Sequence, residues 1–186
     1  MIPRLLFYLF GWKIVGEIPT DLKKGVIAVC PHSKWQDFPI GIMSRGAMRR
    51  KIGYLGKAEL FNGPFGFFFK WLGGTPVYRS KNNNMVEAYA ESIKKADDML
   101  FGIAPEGTRK NVSKLRTGFY YMAVGGQIPV IPVGFDFKKK EVIISKPFMP
   151  SGDFKKDMQE YFVPFFRTIY NCNKDWLKNY EQGIFE

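Results

Sequence analysis

Short apolar runs closed by turn residues limit this chain to one kind of fold. They fall at residues 26–30, 52–54, 75–78, 99–103, 130–133 and 142–145, and runs bounded in this way read as strands. Between them the apolar period lengthens to that of a helix. The clearest case is 85–96, where Met85, Ala88, Tyr89, Ser92, Ile93 and Ala96 share a face and Glu87, Glu91 and Lys94 point away. Further helices are expected over 38–48, 64–72, 118–124 and 153–170. Strands alternating with helices predict an α/β fold, with a largely parallel central sheet flanked by helices. A length of 186 residues fits one domain, 1–186, and no repeat, low-complexity tract or linker divides it. With 46% hydrophobic and 17% aromatic residues the chain has enough apolar surface for a real core, which excludes general disorder.

No run is long enough to cross a bilayer, which takes about 20 consecutive apolar residues. The N-terminal run 5–12 is bounded by Arg4 and Lys13, and no small-residue cleavage pattern follows it. It reads as a retained segment, and residues 1–15 are expected to lie in a membrane interface. The longest uncharged stretch, 117–135, is broken by Gly118, Gly125, Gly126, Gln127, Pro129 and Pro132 into a short helix, a turn and a buried strand. The 28 Lys and Arg against 17 Asp and Glu leave +11, which predicts attraction to nucleic acid, an anionic membrane face or an acidic protein. Cys30 and Cys172 allow at most one bridge, so the reading is a reduced, cytosolic protein rather than a disulfide scaffold.

The single histidine, His32, follows the first of these strands, at the carboxyl end where open α/β sheets place ligands. Asp37 comes five residues later. Ser33 with Gln36 reads as a capping box, or Asp37 as the N-cap; either start leaves His32 in the loop and Asp37 near the helix start, where its carboxylate can orient an imidazole. Cys30 and Ser33 are alternative nucleophiles beside it, the first better read as core filler and the second as a cap. A second strand end carries Ala104-Pro105-Glu106-Gly107-Thr108-Arg109, in which Pro105 fixes a turn, Gly107 admits close backbone approach, Thr108 offers a hydroxyl and Arg109 a planar fork suited to phosphate. A third, Gly73-Gly74-Thr75-Pro76-Val77-Tyr78-Arg79, supplies another arginine, and with the two strands as neighbours Arg79 and Arg109 converge.

Together these residues resemble the glycerophospholipid acyltransferase family, of which the 1-acyl-glycerol-3-phosphate acyltransferases are the best-known members. His32 and Asp37 match its His-x4-Asp motif, and Gly73 to Arg79 match its glycine-rich second motif. Ala104 to Lys110 match its third, normally Phe-Pro-Glu-Gly-Thr-Arg-Ser, and Ile128-Pro129-Val130-Ile131-Pro132-Val133 match its fourth. Lys57-Ala58-Glu59-Leu60 and Leu115-Arg116-Thr117-Gly118 support the match, which covers the core 26–148. Pro31 stands where the family usually has Asn, Ala104 replaces Phe and Lys110 replaces Ser.

The resemblance implies acyl transfer from an acyl thioester, acyl-CoA or acyl carrier protein, to the hydroxyl of a lysophospholipid, 1-acyl-glycerol-3-phosphate first, in phospholipid biosynthesis. His32 is then the general base and Asp37 its orienting partner; Arg79, Glu106, Gly107, Thr108 and Arg109 bind the substrate. No metal and no bound cofactor are expected. The aromatic segment 61–72 and the basic cluster Arg45, Arg49, Arg50 and Lys51 are expected to meet an anionic membrane or an acidic carrier protein, placing the chain in the cytoplasm, peripheral on the inner face of the cell membrane. The alternatives are O-acylation of a phosphate-free lyso-aminolipid, an inactive membrane scaffold, or a basic nucleic-acid-binding domain. The last has no RRM, KH or zinc-finger pattern in its favour.

Overall fold

The computed structural model describes residues 2–77, 84–170 and 172–185. Seven strands form one sheet: β1 (Lys13–Val15), β2 (Lys24–Val29), β3 (Ile52–Lys57), β4 (Gly74–Val77), β5 (Met99–Ile103), β6 (Val130–Asp136) and β7 (Glu141–Ile144). Their order is β1-β7-β6-β2-β5-β3-β4, and every neighbouring pair runs parallel except β6 and β7. The α/β class and the largely parallel sheet expected from the sequence are what forms. β1 went unread, because Lys13-Ile14-Val15 is too short to carry a pattern of its own.

The central strands are buried on both sides, as a sheet covered on each face requires. Val26 and Ala28 of β2, Phe101 of β5 and Val130 of β6 enter one core, while Ile27, Leu100, Ile131 and Val133 enter the other. The second core is closed by α1 (Ile2–Leu9) and α2 (Asp37–Ala47). Two short helices, α3 (Glu59–Asn62) and α4 (Gly66–Trp71), continue this layer where Phe38 of α2 meets Tyr54 of β3 and Phe69 of α4, ring centroids 5.1 and 5.9 Å apart. The N-terminal segment is thus part of the fold, since Phe7 and Trp12 are buried and β1 is a sheet edge. Leu5, Tyr8 and Leu9 of α1 and Phe10 after it are exposed.

The first core is covered by α5 (Asn84–Lys95), α6 (Gly118–Gly126) and the C-terminal helices. The inner face of α5 is turned relative to the expected one: Ala90 and Ile93 are buried, while Ala88 and Ser92 are exposed. The cause lies in α6, where a Cβ on Gly126 would stand 2.8 Å from Ile93 Cγ2 and one on Gly125 2.9 Å from Ala90 Cβ, so two glycines draw that side of α5 in. The helix expected over 153–170 is three pieces: α7 (Phe154–Asp157), a π-helical turn (Met158–Phe162) and α8 (Val163–Arg167). Pro164 explains the widening, because an α-helix through it would lose a hydrogen bond and set the ring against the carbonyl of Glu160. A last helix, α9 (Asp175–Glu181), also escaped the sequence reading.

Candidate active site

The connections of the sheet fix where a site can form. From β2 the chain leaves through α2 on one face toward β3; from the adjacent β5 it leaves through α6 on the other face toward β6. Neighbouring strands whose connections part in opposite directions open a crevice at their carboxyl ends, the usual ligand position in such sheets. His32 follows β2 and Glu106 follows β5, so both stand at this crevice.

His32 Nδ1 lies 3.0 Å from Asp37 Oδ2. The same oxygen accepts the backbone N–H groups of Ser33 at 2.8 Å and Lys34 at 2.9 Å, so the carboxylate is locked before it meets the imidazole. Asp37 is the first residue of α2 and is buried. Neither expected cap forms: Gln36 holds the N-cap position without a side-chain bond, and Asp37 reaches back to the preceding loop instead. An Nδ1 that donates to Asp37 leaves Nε2 as the basic nitrogen. Ser33 meets Asp37 through its backbone N–H, and Cys30 is fully buried with its thiol pushed well up by burial first and by the nearby Glu106 second.

Glu106, expected among the substrate-binding residues, lies buried at the base of this loop. It is 2% exposed and its carboxylate turns inward, Oε1 accepting the backbone N–H of His32 at 3.0 Å and Oε2 pairing with Lys174 Nζ at 2.9 Å. The third motif therefore braces the residue after β2 from behind. Gly107, at φ +65°, takes the left-handed turn that brings the loop back out. Thr108 Oγ1 accepts from Lys110 N at 3.3 Å, and Arg109 is exposed at the rim. Arg79 lies outside the described residues. The expectation that its strand neighbours that of Arg109 is corrected, since β3 lies between β4 and β5.

The loop that carries this motif is held by α9, beyond the reach of the motif pattern. Trp176 N donates to Val112 O at 2.9 Å, Asp175 N to Asn111 Oδ1 at 3.1 Å and Leu115 N to Tyr180 Oη at 2.9 Å. Lys174 is the functional-site residue that the sequence hid, because an isolated lysine after Asn-Cys-Asn reads as surface. Its neighbour Cys172 is also shielded, its thiol pushed up to about 12 by burial and by Glu106. The apolar positions Trp176, Leu177 and Tyr180 are the signal that could have found α9.

Two members of the expected basic cluster are engaged internally. Arg45 Nη1 donates to Ile52 O at 2.8 Å, and Arg50 bonds the carbonyls of Pro19, Thr20 and Leu22. Both guanidinium groups tie loops to the sheet. Among the described residues no three His, Cys, Asp or Glu side chains gather into a metal site, and no helix is long and apolar enough to cross a membrane.

A family model described as Acyltransferase matches residues 13–136, more than half of the chain. The chain belongs to the Acyltransferase family. The chemistry is acyl transfer. Among solved structures, the crystal structure of the 1-acyl-sn-glycerophosphate (LPA) acyltransferase PlsC from Thermotoga maritima is similar at a TM-score of 0.60 and 21% identity, covering 88% of this chain and 73% of that one. That likeness is one of fold. No curated protein matches the sequence.

Proposed function

We propose that this acyltransferase moves a fatty acyl group from an acyl thioester to the hydroxyl of a lysophospholipid, with 1-acyl-glycerol-3-phosphate the first choice of acceptor. The observation that carries the reading is the 3.0 Å contact of His32 Nδ1 with a carboxylate already fixed by two backbone N–H groups. His32 Nε2 takes the proton of the acceptor hydroxyl as its oxygen attacks the thioester carbonyl. Asp37 stabilises the imidazolium so formed. Collapse of the adduct breaks the C–S bond, and the imidazolium returns the proton to the thiolate. Glu106 keeps the base in register by holding its backbone. Thr108, Gly107 and Arg109 take the acceptor phosphate at the outer side of the crevice, a task suited to a guanidinium fork, and Arg79 is assigned to the same phosphate from the sequence.

The lipid acceptor calls for a membrane surface, and the α1–α4 layer offers one. Phe67 and Trp71 of α4 are 74% and 76% exposed, and Leu5, Leu9, Phe10 and Trp35 are exposed on the same layer. Aromatic residues with flanking Arg4 and Lys70 suit a headgroup interface, which supports a peripheral position on the inner face of the cell membrane.

Incubating purified protein with a panel of lysolipids and acyl thioesters, read by mass spectrometry, tests the reading. The expected product is a diacylated phospholipid from lysophosphatidate, with kcat/KM reduced in Arg109→Lys, because an ammonium cannot replace a bidentate guanidinium. Preference of the wild type for a phosphate-free lyso-aminolipid would overturn the assigned acceptor.

A further inference from the structure

The crevice at His32 has a second side. β2 lies between β5, whose loop carries the third motif, and β6, whose end turns back into β7. On the β6 side, Pro31, Ser33, Lys34, Phe135, Phe137, Lys138 and Tyr170 line an open pocket of about 390 Å³, within the range of small-molecule sites. Two of these residues flank His32 directly.

We propose that this cavity receives the phosphopantetheine end of the acyl thioester, the arm shared by coenzyme A and acyl carrier protein, with Lys138 and Lys34 meeting its phosphate. The inference rests on the acyl-transfer reading above. Two substrates must reach one histidine, and the acceptor is assigned to the β5 side. This pocket opens on the β6 side, with Pro31 and Ser33 on either side of His32 in the chain. Its chemistry fits the arm. Lys34 Nζ stands 4.6 Å from the centre of the Phe137 ring and Lys138 Nζ 4.5 Å from that of Tyr170, so each ammonium is held over an aromatic floor. The turn carrying Lys138 is fixed by buried Asp136, whose Oδ1 accepts the backbone N–H of Lys138 and of Lys139 at 2.9 Å each. A pinned turn, two cations and an apolar floor next to the base make a site for a chain with an amphipathic stem and an anionic head.

The test compares wild type, Lys138→Glu and Tyr170→Ser, each checked for an unchanged melting temperature, with palmitoyl-CoA, palmitoyl carrier protein and palmitoyl-pantetheine, which has no phosphate. Lys138→Glu should raise KM for the phosphate-bearing thioester about tenfold, the size of one charge-assisted contact, while KM for lysophosphatidate stays within twofold. With palmitoyl-pantetheine, wild type and Lys138→Glu should be equal. A rise confined to the CoA ester, or to the carrier-protein ester, supports the site and names its source. An unchanged thioester KM, an equal rise for both substrates, or the same effect with palmitoyl-pantetheine overturns it. A wild type that transfers no acyl group from any thioester removes the acyl-transfer reading and this proposal with it, a result distinct from an active enzyme indifferent to Lys138.

Discussion

At the residue scale the site is a row of charges that runs inward from the crevice. His32 is oriented by Asp37 through its side chain and by Glu106 through its backbone, and Lys174 balances Glu106 from below. His32→Ala should lower turnover by at least about 10²-fold with the fold intact, since no second histidine exists to substitute, and steady-state kinetics with circular dichroism check this. Asp37→Asn should act in the same direction. For Lys174 the expectation is one of stability: Lys174→Met leaves a buried carboxylate without its cation and should cost about 3–5 kcal/mol in denaturant unfolding. In Glu106→Gln/Lys174→Met much of that loss should return, because a neutral amide can still accept the His32 N–H. If the single and double variants are equally destabilised, the ion pair is not what Lys174 supplies.

Among the elements, those read correctly from sequence are those whose local pattern and tertiary role agree. β5 appears at its expected bounds because Met99–Ile103 is apolar throughout and lies mid-sheet. The pieces misread are those where one residue overrides a pattern: Pro164 breaks the 153–170 helix, and Gly125 with Gly126 rotate the inner face of α5. The exposed face of α4 is the opposite case, an element whose pattern has no tertiary use within the chain. Phe67→Ser with Trp71→Ser should lower flotation with anionic liposomes while leaving the melting temperature unchanged, because neither side chain is part of the core. Deletion of residues 1–12 is the poorer test, since it removes Phe7 and Trp12 from the core. Equal flotation of wild type and double variant would exclude α4 from the contact.

For the whole molecule the buried titratable groups set an alkaline limit. Burial pushes the Cys172 thiol from its usual 9.0 to about 12, and raises Cys30 in the same direction. The Tyr120 phenol rises from 10.0 to about 12, through burial first and its 2.6 Å bond to Asp157 second. A group whose pKa is higher in the folded state contributes its stability fully below the unfolded pKa and loses it as pH rises through the folded value. The melting temperature should therefore hold up to about pH 9 and fall between about pH 9 and 12, as differential scanning calorimetry would record. Neither thiol should react with a disulfide reagent at pH 8 in the native protein, and both should after denaturation.

The sequence by itself determined the α/β class, six of the seven strands near their places, and the His32–Asp37 pair proposed here as base and partner. Each of these rests on short-range order: an apolar run, a period, or a His and an Asp five residues apart. Which strands are neighbours was not legible, and it separates the strand that leads to Arg79 from that of Arg109 by the width of β3. Nor was the inward turn of Glu106, or the service of Lys174 and α9 beneath the motif loop, because a buried ion pair between residues 106 and 174 is made by chain closure and leaves no local pattern. The tertiary structure decided these because the sheet order brings distant segments to one strand end, where burial makes an unpaired charge costly and so fixes which partner it must have.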